Sequence, residues 1–243
     1  MTKIAFKLGT AAFNLQVESL SADKLKEYSG ELFDLWEAQV ESELGFLSDY
    51  SLYLTVEEGS LKGRGKIYAA LGAVYVFISG YGSLAQGVQL LNSHVRSAVS
   101  CLNEKSIETI PEGNIRHKFK TGTGKLGKLE GLFRKVREGL VTPEVAAARA
   151  EKIFRDEEEE CPEFIASLLK EFSDQPEVQG QIDLPTDVPL VQGVEDQSKL
   201  RIEASSGATP SAPSKDNAPD KYKVEVWRES KRKKRNIRVK KIN

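Results

Sequence analysis

Residues 122–128 read Gly-Thr-Gly-Lys-Leu-Gly-Lys, which satisfies the spacing of a phosphate-binding loop. In such a loop backbone amides and the lysine hold the phosphates, and a following Ser or Thr binds magnesium. Leu129 stands at that last position, and the preceding Arg116-His117-Lys118-Phe119-Lys120 is charged rather than a buried strand. The segment is therefore expected to be a Gly- and Lys-rich entry to a helix, with nucleotide hydrolysis absent. His94 and His117 lie 23 positions apart, and no H-E-x-x-H, C-x-x-C or G-x-S-x-G pattern occurs, so neither a metal site nor a nucleophilic triad is expected. Cys101 and Cys161 are expected to be small core side chains, and the five acids of residues 156–160 a solvated helix end. No catalytic residue, cofactor or metal ligand is assigned.

Charge patterning carries the stronger signal. The chain has 35 Lys and Arg against 36 Asp and Glu, a net charge of −1, but the charges are segregated. Residues 221–243 hold 11 cations and only Glu225 and Glu229. Within them Lys231, Arg232, Lys233, Lys234, Arg235, Arg238, Lys240 and Lys241, beside Trp227, form a candidate polyanion-binding arm for nucleic acid. An anionic membrane surface or an acidic protein is the alternative partner, and the acids at 156–160 could also mask the arm. A secondary basic patch comprises Lys118, Lys120, Lys125, Lys128, Arg134 and Lys135; residues 114–139 carry a local net charge of +6.

Elements must position these charges. Ile4, Phe6 and Leu8 alternate with polar residues, as do Phe13, Leu15 and Val17, and Gly9-Thr10 lies between, so two paired strands are expected. Ser21 caps a helix of about 20 residues carrying Leu25, Tyr28, Leu32, Leu35 and Val40. Leu52, Leu54 and Val56, then Glu58-Gly59-Ser60, then Leu61 to Ile67 at every second position describe a second hairpin. These four strands with the helix across them make a small antiparallel sheet.

Residues 67–91 contain no charge. A break at Gly80-Tyr81-Gly82 with Ser83 as a new cap predicts two helical pieces, the first too short to span a membrane. A buried or partner-covered element is preferred to membrane insertion, and it makes Val76 a core position at which Asp would unfold the protein.

Leu126, Leu129, Phe133 and Val136 form the stripe of a basic helix ended by Gly139, and Thr142-Pro143-Glu144 starts the next, so a helical hairpin lies here. Leu129, Gly131-Leu132-Phe133 and Glu138-Gly139-Leu140-Val141-Thr142-Pro143-Glu144 give residues 126–154 a resemblance to the SHOCT short helical-hairpin module. The segment differs from that module in lying mid-chain and in having Val145-Ala146 where an acidic-aromatic pair is usual. The resemblance implies a two-helix geometry and self-association or a protein partner. One more short helix follows at 162–173.

The expected fold is α+β. Residues 1–110 form an α+β unit with the uncharged stretch 67–91, and 114–174 a helical hairpin region. Residues 175–220 form an acidic, Ser/Ala/Pro-rich disordered linker, and 221–243 a basic arm able to form a hairpin once bound. The expected function is non-enzymatic: an intracellular binding or adaptor protein that contacts nucleic acid or another polyanion through the arm. The alternative is a membrane-associated protein inserting 67–91 with the arm on the headgroups. With two cysteines and no apolar leader pattern at the start of the sequence, a cytoplasmic location is expected.

Overall fold

Six strands and six helices appear in the computed structural model, which describes residues 5–110, 115–155, 161–174 and 221–242. The expectations for the acidic run 156–160 and the linker 175–220 fall outside these residues. The strands are β1 (Ala5–Leu15), β2 (Tyr50–Glu57), β3 (Leu61–Ala70), β4 (His117–Gly122), β5 (Lys221–Arg228) and β6 (Asn236–Ile242). They form one antiparallel sheet in the order β4-β1-β3-β2-β5-β6. The fold is α+β.

The N-terminal alternation belongs to one strand. Apolar residues switch from even positions (Phe6, Leu8) to odd ones (Ala11, Phe13, Leu15), and such a phase change is produced by a turn or equally by one extra residue. Here it is a bulge: the register of β1 against β3 slips between Lys7 and Gly9. A Cβ at Gly9 would come within 2.8 Å of Val95 and Val99, so glycine lets a helix seat against the bulge. Gly9-Thr10 is not a turn.

Helix α1 (Ala22–Leu44) begins where expected, with the Ser21 hydroxyl accepting from the Lys24 amide. Its Leu25, Leu32, Phe33, Trp36, Val40 and Leu44 are fully buried. Burial of six such side chains, at about 1.5–3 kcal/mol each before entropy is counted, explains why the helix lies on the sheet. The uncharged stretch divides three ways: the end of β3, then α2 (Leu71–Ser79), then α3 (Leu84–Glu108) with Ser83 as its cap. Residues 67–70 are strand, not the helix start that the sequence suggested, because Ile67 and Ala69 continue the buried alternation of β3. Among the described residues no single helix is long and apolar enough to cross a membrane, and α2 and α3 meet at a bend of 120°. Leu71, Val74 and Ile78 are buried, whereas Val76 is 72% exposed and is not a core position.

Helices α1 and α3 lie against each other on one side of the sheet, α1 touching β2 and β5 and α3 touching β1 and β4. Helices α4 (Gly124–Arg137) and α5 (Pro143–Phe154) form the expected hairpin, with Gly139 at φ 68° and the Thr142 hydroxyl accepting from the Val145 amide. Their apolar stripes are spent inside the chain. Phe133 stacks on Phe172 of α6 (Pro162–Ser173), and Phe154 packs on Phe6 and Phe164.

Candidate nucleic-acid interface

The C-terminal residues do not stand apart as an arm. β5 pairs along β2 from Leu52↔Arg228 to Glu57↔Lys223, and Val224 and Val226 are completely buried beside α1.

This docking consumes much of the basic run. The carboxylates of α1 face it: Glu37 pairs with Arg228, Glu41 with Lys231 at 2.9 Å, and Asp34 with Arg235. Lys231 also donates to the Gly45 carbonyl and Arg235 to that of Gly30, while Asp49 accepts from the Ser230 hydroxyl and the Lys231 amide. The Tyr50 hydroxyl and Lys231 hold the Glu41 carboxyl below the usual range. Lys233 binds Glu229 at 2.7 Å. In the turn only Arg232 and Lys234 form no side-chain ion pair with the described residues. The run reads as a polyanion site in one dimension and acts as a clasp in three.

The other predicted cations separate. Lys125, Lys128, Arg134 and Lys135 are on α4, and Arg134 lies 4.0 Å from Glu138. Lys118 and Lys120 are on β4 and point with Arg238 and Lys240 to the sheet face turned away from α1 and α3; Lys241 alternates to the other side. Trp227 is on that open face as well.

Strand register orders the open face into rows. One row reads Asn236, Trp227, Tyr53, Lys66, Thr10 and Gly122 across the six strands. The next reads Arg238, Glu225, Thr55, Arg64, Ala12 and Lys120, and the third Lys240, Lys223, Glu57, Lys62, Asn14 and Lys118. Beyond the first row lie Tyr68 and Lys7. With Lys221, opposite Ile242 beyond the third row, ten cations among the described residues share this face with two carboxylates, Glu57 and Glu225. Neighbouring strands are about 4.8 Å apart, so the rows run about 24 Å from β6 to β4.

Both carboxylates are occupied at the hairpin end. Lys240 lies 2.8 Å from Glu225, and Lys223 lies 3.5 Å from Glu57 and 3.7 Å from Glu225. The Lys240 hydrogen bond holds the Glu225 carboxyl below its ordinary value. No carboxylate among the described residues is within ion-pair distance of Lys62, Arg64, Lys66, Lys118 or Lys120. These five surround a groove of about 470 Å³ with Glu57 and with Asn14, whose buried Oδ1 has no hydrogen-bond partner among the described residues. A contiguous groove of about 480 Å³, sharing Thr55, Arg64 and Lys66, is walled by Tyr53, Tyr68, Trp227 and Arg238. Tyr53 and Tyr68 meet edge to face at 5.7 Å, and the Arg238 guanidinium is 5.6 Å from the Trp227 ring centre.

Tyr53, Tyr68, Lys62, Arg64, Lys66 and Lys223 did not stand out from the sequence. A usable signal was present: Lys62-Gly63-Arg64-Gly65-Lys66 puts three cations on one side of a strand whose other side is buried. Elsewhere, the phosphate-loop spacing runs from the last residue of β4, Gly122, into α4, which starts at Gly124 and takes in Gly127 and Lys128. Cys101 and Cys161 are buried and unpaired, burial pushing the Cys101 thiol up. No three His, Cys, Asp or Glu side chains converge as a metal site among the described residues. No family model, curated protein or solved structure matches this chain.

Proposed function

We propose that the protein binds nucleic acid on the open face of its sheet, as a non-enzymatic binding or adaptor protein. The observation that carries this reading is the group of five cations, Lys62, Arg64, Lys66, Lys118 and Lys120, gathered from two strands, none of them within ion-pair distance of a carboxylate among the described residues. Holding like charges together on a rigid surface costs stability, and a bound polyanion recovers that cost. In the run 231–235, by contrast, Lys231 and Arg235 are paired with carboxylates of α1 and Lys233 with Glu229.

Phosphate contacts release counterions, so affinity falls with salt by a log–log slope of roughly −0.9 per contact on duplex and −0.7 on single strands. Five contacts give a slope between about −3.5 and −4.5. Replacing Lys62, Arg64 and Lys66 together by Gln is expected to flatten it by about 2 to 3 units. The double change Arg232→Gln, Lys234→Gln is expected to leave it nearly unaltered. Titration of a labelled oligonucleotide at four salt concentrations measures both. Equal slopes in wild type and the triple variant would remove the face as the site.

A further inference from the structure

We infer that the nucleic acid taken by this face is single-stranded, with an unpaired base stacked in the groove of Tyr53, Tyr68 and Trp227 and its phosphates on the cations of β3 and β4. The inference rests on the reading of the face as a nucleic-acid site and adds the ligand's form and its placement.

The two ends of the face differ in chemistry. At the β2–β5 end Trp227 and Tyr53 are direct cross-strand partners, and Tyr68 is the diagonal neighbour of Tyr53. Directly opposed side chains on one sheet face stand about 5 Å apart at Cβ, so the rings share one wall. The groove beside them, about 480 Å³, has room for a heterocyclic base and is open to solvent on one side. Arg238 over Trp227 provides a second flat, cationic surface. Rings and guanidinium planes stack on bases without regard to sequence.

Glu225 separates this end from a phosphate site. Its carboxylate lines the same groove, held low by Lys240, and would repel a phosphate there. The phosphates then belong over Lys62, Arg64, Lys66, Lys118 and Lys120, five cations against the one carboxylate, Glu57, that lines their groove and is met by Lys223 at 3.5 Å. A strand laid along the rows meets aromatic chemistry first and bare positive charge next. A duplex cannot use this arrangement, because its bases are already stacked on one another and present only their edges.

The full-length protein allows an internal test, since the chain has two tryptophans and the other, Trp36, is fully buried with its indole N–H on the Ala98 carbonyl. Stacking quenches Trp227 and leaves Trp36 as a control of folding. The probes are a homopolymeric oligodeoxynucleotide of about 12 nucleotides, the corresponding duplex, and inorganic polyphosphate of similar charge. Expected are quenching by the single strand alone and a loss of affinity of about 5- to 100-fold in Trp227→Leu, with Trp227→Phe retaining most of it. Tyr53→Leu, at a partly exposed position, is expected to weaken single-strand binding in the same direction. If single strand, duplex and polyphosphate bind equally and Trp227→Leu changes nothing, stacking is wrong and the anion-binding face stands. If none of the three binds, both readings fall. Where Trp227→Leu loses the Trp36 signature of the folded state, Tyr53→Leu decides.

Discussion

Glu43 shows how individual side chains hold the two covering helices in register. Its carboxylate accepts from the Ser97 hydroxyl at 2.6 Å and contacts His94 Nδ1 at 2.7 Å, so one residue of α1 meets two of α3. The Ser97 bond first, then the His94 contact, pull its carboxyl below the ordinary range. A carboxyl that binds its proton less readily folded than unfolded stabilises the fold fully above the unfolded value of about 4.3, and loses that contribution as pH falls through the folded value. Glu43→Gln is therefore expected to lower stability at neutral pH by about 1 kcal/mol, and the gap to wild type is expected to narrow between about pH 5 and pH 3. Urea unfolding at a series of pH values measures it; a gap constant down to pH 3 would mean that the ionised carboxylate is not what Ser97 and His94 recognise. Such a contact is invisible in sequence, where residues 43, 94 and 97 carry no motif. The same holds for Gly65, where a Cβ would come within 2.3 Å of Leu102 and 3.0 Å of Trp36: the residue is small because two helices meet over it.

At the level of elements, what the sequence displayed depended on whether periodicity or neighbourhood decided the outcome. Capped helices and the β2–β3 hairpin were legible, since Ser21, Ser83 and Thr142 and the alternation of residues 50–67 are local features. The bulge in β1 was not, because a phase flip has two local solutions and only Val95 and Val99 select between them. The uncharged stretch was half legible: its break and its cap follow from Gly80 and Ser83, but which side of α2 is buried depends on where α3 and α6 lie. Val74 is 1% exposed and Val76 72%. Val74→Asp is expected to unfold the protein by placing an unpaired charge in the core, at a cost of several kcal/mol. Val76→Asp is expected to change stability by less than about 0.5 kcal/mol. Parallel thermal melts separate the two; equal losses would mean that α2 is turned about its axis relative to this description.

For the whole molecule, the sheet depends on both ends of the chain. β2 is an interior strand only because β5, residues 221–228, pairs beside it, and the open face gains Trp227, Lys223, Arg238 and Lys240 from the same hairpin. Charge counting along the sequence isolates this segment as an arm, because it does not reveal that Asp34, Glu37 and Glu41 line one side of α1 opposite the turn. Deleting residues 221–243 removes two buried valines, each stabilising by about 1.5–3 kcal/mol, and the clasp, offset in part by the entropy of ordering the strands. The melt is therefore expected to fall by several degrees, at about 2–4 °C per kcal/mol for a domain of this size. Nucleic-acid binding, measured well below that lowered melt, is expected to weaken without vanishing, since Lys62, Arg64, Lys66, Lys118 and Lys120 remain. An independent arm behaves in the opposite manner: its removal leaves the melt untouched and abolishes binding. Calorimetry and oligonucleotide titration of the truncated chain thus test docking and site together, and an unshifted melt with no residual affinity would return the site to the C-terminal run.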